Sequence, residues 1–171
     1  MQSTEQRRFK SRNPEFRALI ARKLEGQEFM RHIGFELTEI NEAYIEGEVG
    51  LHKFLQQQDG MVHGGVTATL ADIVCGFAAF SLVEPHQCVV TADLKISYFS
   101  PGRGVKVKAR GWVVKPGKKL HFCEGEVLVV DAEGGEQVIA KASAIMAVLT
   151  PRERGENSRN KDKQGSNGST Q

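Results

Sequence analysis

The chain has 171 residues and a formal net charge of +2, which gives no argument for a nucleic-acid partner. Its polar ends leave one stretch of single-domain size, large enough to bury roughly two-thirds of its surface. Cys75, Cys88 and Cys123 form no CxxC pair and lie in apolar surroundings, so buried thiols in a reduced, cytoplasmic compartment are expected.

The start, MQSTEQRRFKSRNPEF, has no apolar run, so no secretory signal is expected there. The longest apolar run, 73–83, is too short to span a bilayer, which predicts a soluble protein. Residues 1–12 read as a flexible segment. Its Arg7, Arg8, Lys10 and Arg12 suit a solvated tail better than an RNA surface. Asn13-Pro14 is a helix start, with a capping side chain and proline at the first helical position. Phe16, Leu19, Ile20 and Leu24 then form one apolar face up to Gly26. A second short turn or helix carries Phe29, Met30 and Ile33 to Gly34.

From Phe35 the period changes to two. Phe35, Leu37 and Glu39 alternate with polar neighbours, and 44–51 alternates again, joined through Asn41-Glu42 as a hairpin. The polar run 52–59 breaks the strand. The stretch QQDGMVHGGVTATLADIVCGFAAFSLV then runs from a loop into a helix. Beyond the turn at Glu84-Pro85-His86, four strands follow: 88–99, 105–114, 120–131 and 137–149. Pro101-Gly102, Pro116-Gly117 and Glu133-Gly134-Gly135 separate them, and such short turns predict antiparallel pairing of consecutive strands. One long helix against this sheet is an α+β arrangement. The domain is expected to span 13–150, with a disordered polar tail over 151–171.

Val66, Leu70, Ile73, Phe77 and Phe80 recur at the spacing of one helical face and are expected to meet the core. A second stripe, Gly65, Ala68, Asp72, Gly76 and Ala79, contains small residues and one carboxylate. Asp72 either faces water on an ordinary amphipathic helix or waits beside a close-approaching ligand; its small stripe-mates favour the second. Gly64 and Gly65 occupy the expected N-cap and would leave first-turn amides uncovered, with the positive helix end behind them. His63 is a structural hydrogen-bonder at the turn or a base. The histidines at 32, 52, 63, 86 and 121 show no HxH or HExxH spacing, and no GxSxG elbow or P-loop is present.

HGG followed by LAD, with Asp72 eight residues after Gly64, resembles the hotdog-fold acyl-CoA thioesterases. The nearest likeness is to the phenylacetate-degradation (PaaI-like) branch of the hydroxybenzoyl-CoA thioesterase superfamily. The flanks GMVHGGVTATLAD and TADLKISYFSPGRG agree, the latter ending in a Tyr–x–x–Pro-like turn. The resemblance implies a sheet wrapped around one central helix, and hydrolysis of an acyl-CoA, aromatic or medium- to long-chain, without metal or redox cofactor. It implies that the Gly64 amide polarises the thioester carbonyl and that Gln57, or Gln58 one register on, assists it. Asp72 would be nucleophile or general base, and Thr91 matches a hydroxyl that helps position water. Lys115, Lys118 and Lys119 are candidates for the CoA phosphates, or else solvated turn lysines. Met61, Phe77 and Phe80 are candidate acyl-pocket residues. A homodimer, often paired again into a homotetramer, is implied, with the site shared between chains. Two rivals stand beside the enzyme: a non-catalytic hotdog protein that binds acyl-CoA or acyl carrier protein, and a hotdog subunit without a ligand.

Overall fold

A computed structural model describes residues 9–150. Arg7, Arg8 and the rest of 1–8, and the polar tail expected over 151–171, lie outside the described residues. Two short helices, α1 (Phe16–Glu25) and α2 (Glu28–Ile33), precede the strands β1 (Glu36–Asn41) and β2 (Tyr44–Gly50). A 3₁₀ turn, Lys53–Leu55, leads toward α3 (Gly64–Phe80). The strands β3 (Cys88–Tyr98), β4 (Lys106–Pro116), β5 (Leu120–Val130) and β6 (Glu136–Leu149) complete the fold.

The six strands form one antiparallel sheet in the order β1-β2-β4-β5-β6-β3. α3 packs against β2 through β6, so the sheet curls around the helix. This is the hotdog fold. One connection departs from the expected meander. Pro101-Gly102 does not turn β3 back onto β4; β3 pairs with β6 at the far edge, and β4 pairs with β2. The chain after β3 therefore crosses the sheet, which leaves β3 with one neighbour and one open edge.

The core face of the helix is broader than its strongest hydrophobic spacing suggests. Leu70, Phe77 and Phe80 of that spacing are buried and Val66 and Ile73 pack against the core, while Thr67, Ala71, Val74, Cys75 and Ala78 are buried beside them. The cause lies in the sheet. Gly111 and Gly125 face each other across β4 and β5, and a Cβ on Gly111 would stand 2.7 Å from the Val74 carbonyl carbon and 2.8 Å from the Cys75 nitrogen. A Cβ on Gly125 would stand 3.0 Å from the Cys75 sulfur. The glycine pair forms a saddle, and the helix presses its smaller side chains into it. Leu70, Val74, Ile45, Val107, Val127 and Met146 fill the core around this contact.

At the first helix the expected cap is displaced by two residues. Asn13 is buried and its side-chain oxygen accepts from the Glu15 amide at 3.0 Å, while α1 begins at Phe16. Phe16 and Ile20 then bury the predicted face.

Candidate functional site

The loop before α3 is pinned from three sides. Gln56 and Val62 form an isolated antiparallel bridge, and the Gln57 amide donates to the Met61 carbonyl at 2.8 Å. Gly60, at φ +72°, supplies the left-handed turn between them. The Val62 amide donates to the Gly102 carbonyl and the His63 amide to the Leu55 carbonyl, both at 2.9 Å. Gln57 is thereby placed on the wall of a cleft of about 360 Å³ that also includes Met61, Gly64, Tyr98 and Phe99. Gln58 instead turns its amide toward the Asp59 carboxylate, 3.4 Å away, on the exposed side.

The N-cap of α3 is His63, not the glycine pair. Its Nδ1 accepts the Gly65 amide at 2.9 Å, which puts the proton of the neutral ring on Nε2. A histidine can thus take the place that Ser or Asp usually holds. The consequence for chemistry is selective: Gly65 is capped, while the Gly64 N–H, at the first helical position, has no acceptor among the described residues. The positive end of the helix dipole reinforces that donor. Tyr98 steadies the same residue from β3, its hydroxyl donating to the Gly64 carbonyl at 3.0 Å.

Asp72 opens into a different cleft, of about 390 Å³, between α3, the N-terminal helices and β3. Here β3 carries a bulge: Thr91 faces Met146, but Asp93 faces Ile145. Bulges re-aim side chains, and this one brings the Thr91 hydroxyl to Asp72, donating to Oδ1 at 2.6 Å. The other oxygen, Oδ2, has no partner among the described residues. Gly76, Phe77, Phe80 and Met30 continue the cleft wall away from Asp72. Of the candidate acyl-pocket residues, Phe77 and Phe80 belong to this cleft, and Met61 to the Gln57 cleft.

The two buried thiols near the helix are out of play. Burial pushes the Cys75 thiol well above its usual range, with Cys123 and Asp72 adding to it. Burial alone pushes Cys123 up to about 12. Both stay protonated and inert at neutral pH. No three His, Cys, Asp or Glu side chains gather into a metal-binding group among the described residues.

Within one chain, then, the candidate residues fall into two separate groups. Asp72 is eight residues beyond Gly64, about 12 Å along the helix, and the two line separate clefts. Lys115, Lys118 and Lys119 line neither. They stand where β4 passes into β5, at the opposite end of β4 from the Gly102 turn, roughly 33 Å away at a strand's rise per residue.

The Thioesterase superfamily matches this chain over residues 59–136, a segment that contains both Gly64 and Asp72. A protein of Halobacterium salinarum named "Putative esterase VNG_1336C" is 30% identical over 135 residues, covering 74% of this chain and 89% of that protein. The chain belongs to the thioesterase superfamily. Its activity class is thioester hydrolysis. Among solved structures, a thioesterase family protein from Silicibacter pomeroyi superposes with a TM-score of 0.77 at 28% identity, over 80% of this chain and 99% of that one. A Bacillus halodurans protein solved with CoA superposes with a TM-score of 0.63 at 25% identity, over 79% of this chain and 86% of that one.

Two features of this thioesterase escape a reading of the sequence alone. Tyr98 has a signal, the Tyr–x–x–Pro spacing at the end of β3, but its contact with Gly64 depends on the crossover. The N-terminal helices lie outside the matched segment altogether, yet Met30, Gln27 and Lys23 line the Asp72 cleft.

Proposed function

We propose that this thioesterase hydrolyses an acyl-CoA to the free acid and CoA, with aromatic or medium- to long-chain acyl groups as substrates. The observation that carries the reading is the Thr91–Asp72 hydrogen bond inside a largely apolar cleft. A carboxylate held by one oxygen, with the other left open, is oriented for attack or for taking a proton from water. In the base form, Asp72 takes a proton from water and the hydroxide oxygen adds to the thioester carbonyl. The resulting oxyanion lies against the Gly64 N–H, a donor worth about 10²–10³ in rate. Gln57 assists from the same cleft. The C–S bond then breaks and CoA leaves as the thiolate, to be protonated. In the nucleophile form, Asp72 itself adds to the carbonyl, the C–S bond breaks to release the CoA thiolate, and water opens the resulting mixed anhydride to the free acid and the Asp72 carboxylate. Neither form needs a metal or redox cofactor.

Because one chain separates the two groups by about 12 Å along the helix, the working site combines Gln57 and Gly64 of one protomer with Asp72 and Thr91 of its partner. The open edge of β3, which borders both clefts, is where the second protomer would join. A homodimer is the smallest active unit, and pairing of dimers into a homotetramer extends the same reading. Antiparallel pairing of two β3 edges would carry the partner's Lys115, Lys118 and Lys119 toward the Gly64 end. There they would meet the CoA phosphates. Membership of the phenylacetate-degradation branch rests on the HGG–LAD spacing and the TADLKISYFSPGRG flank. Cytoplasmic location rests on the free cysteines at 75, 88 and 123.

A thiol-release screen over phenylacetyl-, hydroxybenzoyl-, short- and long-chain CoA esters tests the reading. Release that Asp72→Asn abolishes supports it. Tight binding of acyl-CoA with no thiol released from any ester would move the chain to the non-catalytic binder.

A further inference from the structure

The Asp72 cleft is charged at two points only, Asp72 and Lys23. Phe80, one helical turn past Gly76, lies about 12 Å along α3 from Asp72, and the Lys23 Nζ stands 4.9 Å from the centre of its ring. The wall between is apolar, with Met30, Ile73, Phe77 and Val89. Gln27 adds an amide beside Lys23 on the same lining. Lys23 and Gln27 come from the end of α1 and the residue before α2, both outside the segment that the superfamily matches.

An occupant complementary to this cleft has a reactive carbonyl at the Asp72 end, an apolar body, and an anionic group at the far end. Building on the acyl-CoA thioesterase reading above, we propose that Lys23, supported by Gln27, selects acyl groups whose distal end carries a carboxylate. The ammonium is already held in place, by the face of the Phe80 ring and by the negative end of α3, which terminates there. A carboxylate arriving at that point gains a charged hydrogen bond from a pre-placed donor. A methyl terminus gains nothing from it. Lys23 is thus a specificity residue, remote from the reacting bonds.

The test compares paired esters of equal length, octanoyl-CoA with suberyl-CoA and decanoyl-CoA with sebacyl-CoA. The wild-type enzyme is expected to favour the ω-carboxy partner roughly tenfold in kcat/KM, the scale of one hydrogen bond to a charged group. Lys23→Met, which keeps the stem over Phe80, should erase the preference and leave the octanoyl and decanoyl rates unchanged. Lys23→Arg should retain it. Parity or a preference for the methyl-terminated esters in the wild type overturns the proposal. So does a Lys23→Met variant that slows both partners equally, which marks a merely structural lysine. Binding of the same esters to Asp72→Asn separates this inference from the hydrolytic reading. Tighter binding of the ω-carboxy partner without wild-type turnover upholds the Lys23 assignment while hydrolysis fails. Turnover without discrimination upholds hydrolysis while the Lys23 assignment fails, and binding of neither ester overturns both.

Discussion

Thr91 donates its hydroxyl to Asp72 at 2.6 Å, beside the point where β3 bulges. Residues 19 positions apart, on a helix and on an edge strand, are thereby made into one unit. The threonine fixes which carboxylate oxygen is committed and which is available.

Removing that hydroxyl should therefore cost rate more than stability. Thr91→Val keeps the β-branched shape and is expected to lower kcat about tenfold to a hundredfold, the value of a hydrogen bond to a charged group. Thr91→Ser should recover most of it. Steady-state kinetics, with a urea midpoint measured alongside, distinguishes orientation from unfolding. A Thr91→Val enzyme with wild-type kcat would remove the threonine from the mechanism.

The glycine saddle predicts the opposite pattern. Gly111→Ala would push a methyl group into the α3 backbone at Val74 and Cys75, where no flexible side chain can give way. Overpacking of this kind costs about 1–3 kcal/mol, visible as a lower urea midpoint. Gly76→Ala, which meets nothing within 4 Å in the chain, should leave the midpoint nearly unchanged.

His121 supplies a pH dependence of stability. It is 2% exposed and its Nδ1 has no hydrogen-bond partner. Burial, with the Arg12 guanidinium nearby, holds its pKa below the ordinary imidazole value. The unfolded chain then binds a proton near pH 6.5 that the folded chain refuses. Stability contributed by the neutral ring is full above that pH and is lost as pH falls below it. Urea titrations at pH 7.5 and 5.5 should show a drop for the wild type and a smaller one for His121→Leu. Equal drops would exclude His121 as the source.

The open β3 edge strand and the residue after it expose Val90, Tyr98 and Phe99 at 47%, 55% and 57%, and an unpaired edge of this kind invites a second strand. Sedimentation at micromolar concentration should give a dimer or larger. A monomer would count against the shared site.

Much of the site is visible in the sequence because it is local. The eight-residue step from Gly64 to Asp72, and the glycine that leaves an amide uncovered, follow from the helix itself. What stays hidden is set by distant partners. α3 is apolar on most of its circumference, so periodicity offers the face of Val66 and Ile73 as the core; the glycine pair on β4 and β5 turns Val74 and Ala78 inward beside it. His63 is ambiguous as a residue type and becomes a cap through the geometry of one turn. The crossover after β3 also follows from pairing with β6, a strand about forty residues away in the sequence, which no local turn signal records.

In the proposed dimer, Gly64 and Gln57 of one protomer grip the carbonyl that Asp72 of the other helps to attack. Mixing Asp72→Asn with Gln57→Ala under conditions of subunit exchange tests this division. Each variant alone should be nearly inactive. Random pairing makes half the dimers hybrids, each with one intact site of two, so thiol release should return to about a quarter of the wild-type rate. If mass spectrometry shows the hybrids and no activity returns, the site is not shared in this way.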